Sequence, residues 1–178
     1  MKERAATDRL AAAASALAAG SQRSEIQSFM VMDVMRAAAE QERAGRSVIQ
    51  MEGGQPGTPE PEAAKRAAIA AIQSDTLGYT LALGNEALRR RIAEHYRDWY
   101  GVSVAPERIV VTTGSSAAFV LAFLAAFDVG DGVALASPGY PCYRHILSAL
   151  GQRPVLIETG PDTGWAPTVD SVARAAAN

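Results

Sequence analysis

Three short β-branched or apolar runs, Ile109–Thr112, Val133–Ala136 and Pro154–Ile157, alternate with helical segments over residues 115–127 and 140–150. Runs that are apolar on both faces need cover on both faces, and a strand–helix–strand order supplies it by parallel pairing through crossover helices. The expected fold is therefore α/β: a three-layer αβα arrangement around a mainly parallel sheet, preceded by a helical N-terminal segment. Pro167 to Ala177 begins a further helix. Three strands make a thin sheet for this much helix, so either another polypeptide completes the sheet or the chain is the front part of a longer protein.

With 178 residues, 48% apolar and 20% charged, the chain has the material for a buried core. Its net charge of −2 gives no electrostatic case for nucleic acid. The longest basic run, Arg89-Arg90-Arg91, sits on a helical pattern and reads as a solvated face. A single cysteine, Cys142, excludes an intrachain disulfide framework and fits a reducing compartment. Residues 10–20 are alanine-rich, but Glu3 and Asp8 occupy the place of a basic signal-peptide n-region, so residues 1–23 read as a mobile or helical leader. No stretch has the length and apolarity of a membrane span, and a cytoplasmic protein is expected.

From Ser24 the spacing of Ile26, Met30, Val34 and Ala38 predicts a helix ending at Ala44-Gly45. Val48–Met51 is a short extended run, stopped by the Gly- and Pro-rich loop Gly53–Pro59. Residues 61–74 read as a helix. A loop over Gly78–Gly84 follows, and then a helix capped by Asn85, with Leu88, Ile92, Tyr96 and Trp99 in one apolar stripe. The division expected is a leader (1–23), an N-terminal helix and loop belonging to a small domain or a dimer interface (24–58), and the beginning of a large domain (59–178).

Chemistry concentrates in two turns. Gly114-Ser115-Ser116 follows a strand and opens a helix, where first-turn amides lack intrahelical acceptors and the macrodipole favours an anion. Two hydroxyls add donors, and the glycine permits the tight turn. The alternative is that Ser115 only caps its helix. Ser137-Pro138-Gly139-Tyr140-Pro141 follows the next strand. Ligands in such sheets lie beyond the carboxyl ends of the strands, so Tyr140 shares a rim with the two serines, either stacking on a flat ring or packing in its own turn. An anion pocket beside an aromatic face points to a phosphorylated aromatic cofactor.

The order Gly-Gln-Pro (54–56), Gly-Tyr (78–79), Thr-Gly-Ser-Ser-Ala (113–117), Gly-Asp (130–131) and Ser-Pro-Gly-Tyr-Pro (137–141) resembles the N-terminal half of the class I/II aminotransferases, pyridoxal-phosphate enzymes of fold type I. The resemblance runs over residues 25–178. It implies that Gly114, Ser115, Ser116 and the Ala117 amide hold the cofactor phosphate and that Tyr140 stacks on the pyridine ring. It implies further that Gly54 meets the substrate α-carboxylate, or else serves loop geometry alone. Tyr79 reaches a partner's phosphate across a homodimer, or packs as a loop aromatic. The substrates implied are an amino acid and a 2-oxo acid.

The same resemblance implies a Schiff-base lysine that moves the proton, yet the lysines of this chain are Lys2 and Lys65, in the leader and in a charged helical stretch. The acidic partner of the pyridine nitrogen, the Asn and Tyr at its 3-hydroxyl and the carboxylate-binding Arg are expected beyond residue 178. No catalytic residue and no metal ligand set is therefore expected here, and the chain alone should not transaminate. Other fold type I activities (a carbon–sulfur lyase or an acyl-transferring synthase) and an aminotransferase-like sensing module remain open. So does a serine hydrolase built on Ser116, Asp131 and His145, since Gly114–Ala118 approximates a nucleophile elbow. Cys142 and His145 lie one helical turn apart, but two ligands do not close a metal site. His95 reads as structural, on an amphipathic helix without a partner.

Overall fold

The computed structural model describes residues 2–177, which form two compact units: one from the stretch up to Arg36 together with Ser116 onward, the other from Ala37 to Ser115. The first unit is a mixed α/β arrangement. Strand β1 (Gly132–Ser137) pairs in parallel with β2 (Arg153–Glu158), in register from Gly132 opposite Arg153 to Ser137 opposite Glu158. Two glycines flank the crossover. Gly151 ends the helix over Pro141–Leu150 with φ +83°, and Gly130 N donates to Gly151 O at 2.8 Å, just ahead of both strands.

Alternation along the strands places Val133 and Ile157 on opposite faces, since registered partners share a face and Ile157 is opposite Ala136. Both are buried, as is Leu147 of the crossover helix, which is fully enclosed. That helix lies along Pro154 and Leu156 on one face. The final helix, over Val169–Ala176, lies along Val155 and Ile157 on the other. A parallel sheet flanked by helices on both faces is the layered architecture that the alternating runs predict.

In chain order the helices are α1 (Lys2–Ala19), α2 (Met30–Arg43), α3 (Glu62–Ser74), α4 (Glu86–Tyr100), α5 (Ser115–Ala126), α6 (Pro141–Leu150) and α7 (Val169–Ala176). Gln152 ties α5 to the start of β2. Its amide Nε2 donates to the carbonyls of Phe123 and Phe127 at 3.2 and 3.1 Å, across the C-terminal end of α5. Thr168 caps α7 by accepting from Ser171 N at 3.2 Å.

In the second unit, Asn85 accepts from Leu88 N at 3.2 Å and so caps α4. Gly101 closes α4 in the left-handed conformation, φ +66°. The loop ahead of α4 is held by a close approach: Val111 N donates to Leu83 O at 3.0 Å, and a Cβ on Gly84 would lie 2.6 Å from Val111 Cβ.

Several sequence expectations are corrected. Ile109–Thr112 has no regular secondary structure and forms no ladder with β1 or β2, whose sheet has two strands. β-branched side chains favour extended backbone, but a strand also requires a backbone partner, and chain neighbours in α/β folds need not be sheet neighbours. The helix predicted from Ser24 begins at Met30, because the Ser28 hydroxyl turns onto the Asp33 carboxylate and residues 25–29 stay irregular. On α4 the apolar stripe is largely exposed, with Leu88 and Tyr96 near 45% and Trp99 at 75%. Arg89, expected on a solvated face, is buried instead. His95 does have partners, its ring 5.0 Å from Trp99 and 5.8 Å from Tyr100.

Gly84 has φ +97° as well as the contact with Val111. A Gly84→Ala change should therefore destabilise the protein by roughly 2–4 kcal/mol, from backbone strain plus overpacking. Urea denaturation will show it as a lower midpoint at unchanged slope.

Candidate functional site

The chain reverses sharply at Gly114. The Thr112 hydroxyl donates to Gly114 O at 2.8 Å, Gly114 N donates to Thr112 O at 2.9 Å, and Gly114 takes φ +86°, a conformation open to glycine at little cost. Helix α5 starts at the next residue, with the side chains of Ser115 and Ser116 exposed in its first turn and Ala117 half-buried. Tyr140 precedes α6 in an extended conformation, and Pro141 opens the helix with φ already suited to it.

Two contacts set these helix starts side by side. Ser116 Oγ lies 3.6 Å from Cys142 Sγ, and the rings of Phe119 and Tyr143 approach to 4.4 Å between centroids. Ser116 and Cys142 are each the second residue of their helix, so the first turns of α5 and α6 are neighbours. The first turn of α5 offers unpaired amides, the positive end of its dipole and two serine hydroxyls, whereas α6 opens with Pro141, which has no N–H. The ring of Tyr140, about half exposed, stands edge-on to Phe29 at 6.2 Å and to Tyr143 at 5.2 Å. A cavity of about 230 Å³ opens between β1 and the start of α6, walled by Ala136, Ser137, Tyr140, Tyr143, Arg144 and Leu156. The serine hydroxyls and first-turn amides of α5 suit an oxyanion such as a phosphate, and the Tyr140 ring in the neighbouring cavity, which no residue of α5 lines, suits a flat ring.

Gly114 and Ser115 close the second unit, and the remaining predicted residues lie earlier in it. Tyr79 is fully exposed on the loop before α4. Gly54 is in the Gly- and Pro-rich loop, with open space where a Cβ would be.

The hydrolase constellation is not assembled. Ser116 faces Cys142, the Asp131 carboxylate accepts from Asp128 N at 2.8 Å, and the His145 ring packs 6.1 Å from Phe29. These are three separate partners rather than one relay. Among the described residues no group of three or more His, Cys, Asp or Glu side chains could hold a metal ion. Nor is any described helix long and apolar enough to cross a membrane.

Comparison with known proteins decides the family. Residues 46–178 match the family described as aminotransferase class I and II. The chain belongs to the class I and II aminotransferases. It is 50% identical over 152 residues to a valine–pyruvate aminotransferase of Mycobacterium tuberculosis, spanning 85% of this chain and 39% of that protein. It is 34% identical over 132 residues to a (5-formylfuran-3-yl)methyl phosphate transaminase of Methanocaldococcus jannaschii, spanning 74% of this chain and 36% of that one. Among solved structures, an aminotransferase from Mycobacterium tuberculosis superposes with a TM-score of 0.82 at 49% identity, covering 86% of this chain and 40% of that one. The aspartate aminotransferase of Thermus thermophilus with maleate gives 0.81 at 32% identity, covering 87% and 41%. The chain thus spans about two fifths of the length of these aminotransferases, and its α/β unit is part of a fold type I large domain.

Sequence reasoning passed over the Ser116–Cys142 contact and the buried Arg89. Cys142 was legible in principle, because it sits two residues after Tyr140, at the position in α6 that Ser116 holds in α5. Arg89 carried no signal, since its neighbours Arg90 and Arg91 pair with Glu86 and Glu94 on the helix surface.

The two ring contacts of Tyr140 do not involve its hydroxyl. Tyr140→Phe should leave stability unchanged within about 0.5 kcal/mol, whereas Tyr140→Ala should cost about 1–3 kcal/mol from lost ring contacts. Parallel denaturation curves of the two variants separate these outcomes.

Proposed function

We propose that the full-length protein is a pyridoxal-phosphate-dependent aminotransferase that moves an amino group from an amino acid to a 2-oxo acid. In this reading the present chain supplies the docking part of the cofactor site. The observation that carries it is the convergence of the first turns of α5 and α6 at Ser116 and Cys142, with the Tyr140 ring beside them. When bound, the cofactor supplies an electron sink for bonds broken at the substrate Cα.

Each residue has a binding or orienting task. Gly114 turns the chain so that α5 starts at the phosphate. The hydroxyls of Ser115 and Ser116 and the amide of Ala117 donate hydrogen bonds to its oxygens, in the field of the helix dipole. Tyr140 presents its ring face to the pyridine and fixes the plane of the cofactor. Gly54 offers its backbone amide to the substrate carboxylate, the absence of a side chain allowing close approach. Tyr79, exposed on its loop, donates to the phosphate bound by the partner subunit of a homodimer. Neither lysine is given a proton-transfer role. Lys2 lies in α1, and Lys65 lies on α3 with its ammonium 3.9 Å from Glu62.

Membership of the family supports this reaction type, and the similarity to a valine–pyruvate aminotransferase makes that pair the first to assay. In the full-length protein, 15N should pass from valine or another amino acid to a 2-oxo acid only when pyridoxal phosphate is present. Ser116→Ala should weaken retention of the cofactor about tenfold, the effect of one lost hydrogen bond to a charged group. Cofactor binding without amino-group exchange would indicate a sensing module. Labelling of Ser116 by a fluorophosphonate would overturn the reading in favour of a hydrolase.

A further inference from the structure

Among the described residues, Arg89 is the one charged side chain that is buried, at 6% exposure. Its guanidinium donates through one terminal nitrogen to Pro106 O at 3.1 Å, while its Nε is buried without a partner. A cation withdrawn from water and held by a neutral carbonyl is costly, and an apolar side chain of similar volume would pack there at lower cost. Its neighbour Arg90 behaves as a surface arginine should, pairing with Glu86 one turn earlier and holding that carboxyl below the usual carboxylate range. The burial of Arg89 thus serves geometry better than stability.

The geometry in question is the path into the phosphate turn. Pro106 O also accepts from Ile109 N at 3.1 Å, closing the short helical turn from which the segment 109–112 leaves. Arg89 therefore fixes the carbonyl at the start of that segment. The same α4 holds the segment further along through the loop that enters it, where Leu83 O accepts from Val111 N and Gly84 sits against the Val111 side chain. The next residue after that contact, Thr112, makes the hydrogen bonds that shape Gly114. One helix thus grips the 106–112 segment at both ends, and the segment delivers Gly114 and Ser115.

We infer that Arg89 is a positioning residue for the phosphate-binding turn, acting through Pro106 and the 109–112 segment on Gly114 and Ser115. The inference rests on the cofactor reading above. It predicts a loss confined to ligands that carry the phosphate.

The test compares equilibrium binding of pyridoxal phosphate and of pyridoxal, which lacks the phosphate, to the full-length apoprotein. In Arg89→Met, affinity for pyridoxal phosphate should fall about tenfold or more while affinity for pyridoxal stays within about twofold. Arg89→Lys, whose ammonium can still reach a carbonyl, should recover part of the loss, and Arg90→Met should bind both ligands as the unmodified protein does. Equal losses for both ligands in the Arg89 variants would show a general structural role and overturn the inference, as would no loss for either. Should Arg89→Met fail to fold, the ratio between the two ligands in Arg89→Lys decides in the same way. If the unmodified protein binds neither ligand, it is the cofactor reading that fails.

Discussion

Parallel pairing of β1 with β2 is the constraint on which the candidate site depends. Two parallel strands joined by a helix must both end on the same rim, so the residues after β1 reach the start of α6 where a ligand can lie. Leu147 anchors α6 by full burial, and Val133 and Ile157 hold the two faces of the sheet. With α6 fixed, Cys142 meets Ser116 and brings the start of α5 to the same place. In the proposed reading, the serine hydroxyls and first-turn amides of α5, in the field of that helix's dipole, would supply the positive potential for an anion.

The arrangement is only partly enclosed. Helix α5 is apolar nearly all round, yet Leu121 and Leu124 are more than half exposed, and a helix of that kind is normally covered on every side. Trp99 and Tyr100 on α4 are likewise more than half exposed. These faces accord with a chain that spans about two fifths of the aminotransferases it matches.

Local chemistry was legible in the sequence wherever one residue sufficed to set it. Asn85 capping α4 and the turn at Gly114 were read from residue type and position, and the structure has them. Partnership was not legible. The β-branched run Ile109–Thr112 looks like Val133–Ala136 in sequence, but only the latter has a ladder partner. Arg89 looks like Arg90, yet one is buried on a carbonyl and the other lies on the surface. Burial and pairing depend on residues far apart in the chain, and periodicity carries no information about them. The order of several short motifs, rather than any one of them, pointed to the family.

The central claim is that the joined starts of α5 and α6 hold a phosphate with a flat ring beside it. A crystal structure of the full-length protein grown with pyridoxal phosphate tests it most directly. The account predicts phosphate oxygens within hydrogen-bond distance of the Ser115 and Ser116 hydroxyls and the Ala117 amide, with the pyridine ring face to face with Tyr140. A phosphate bound elsewhere, or a ring without contact to Tyr140, would contradict it.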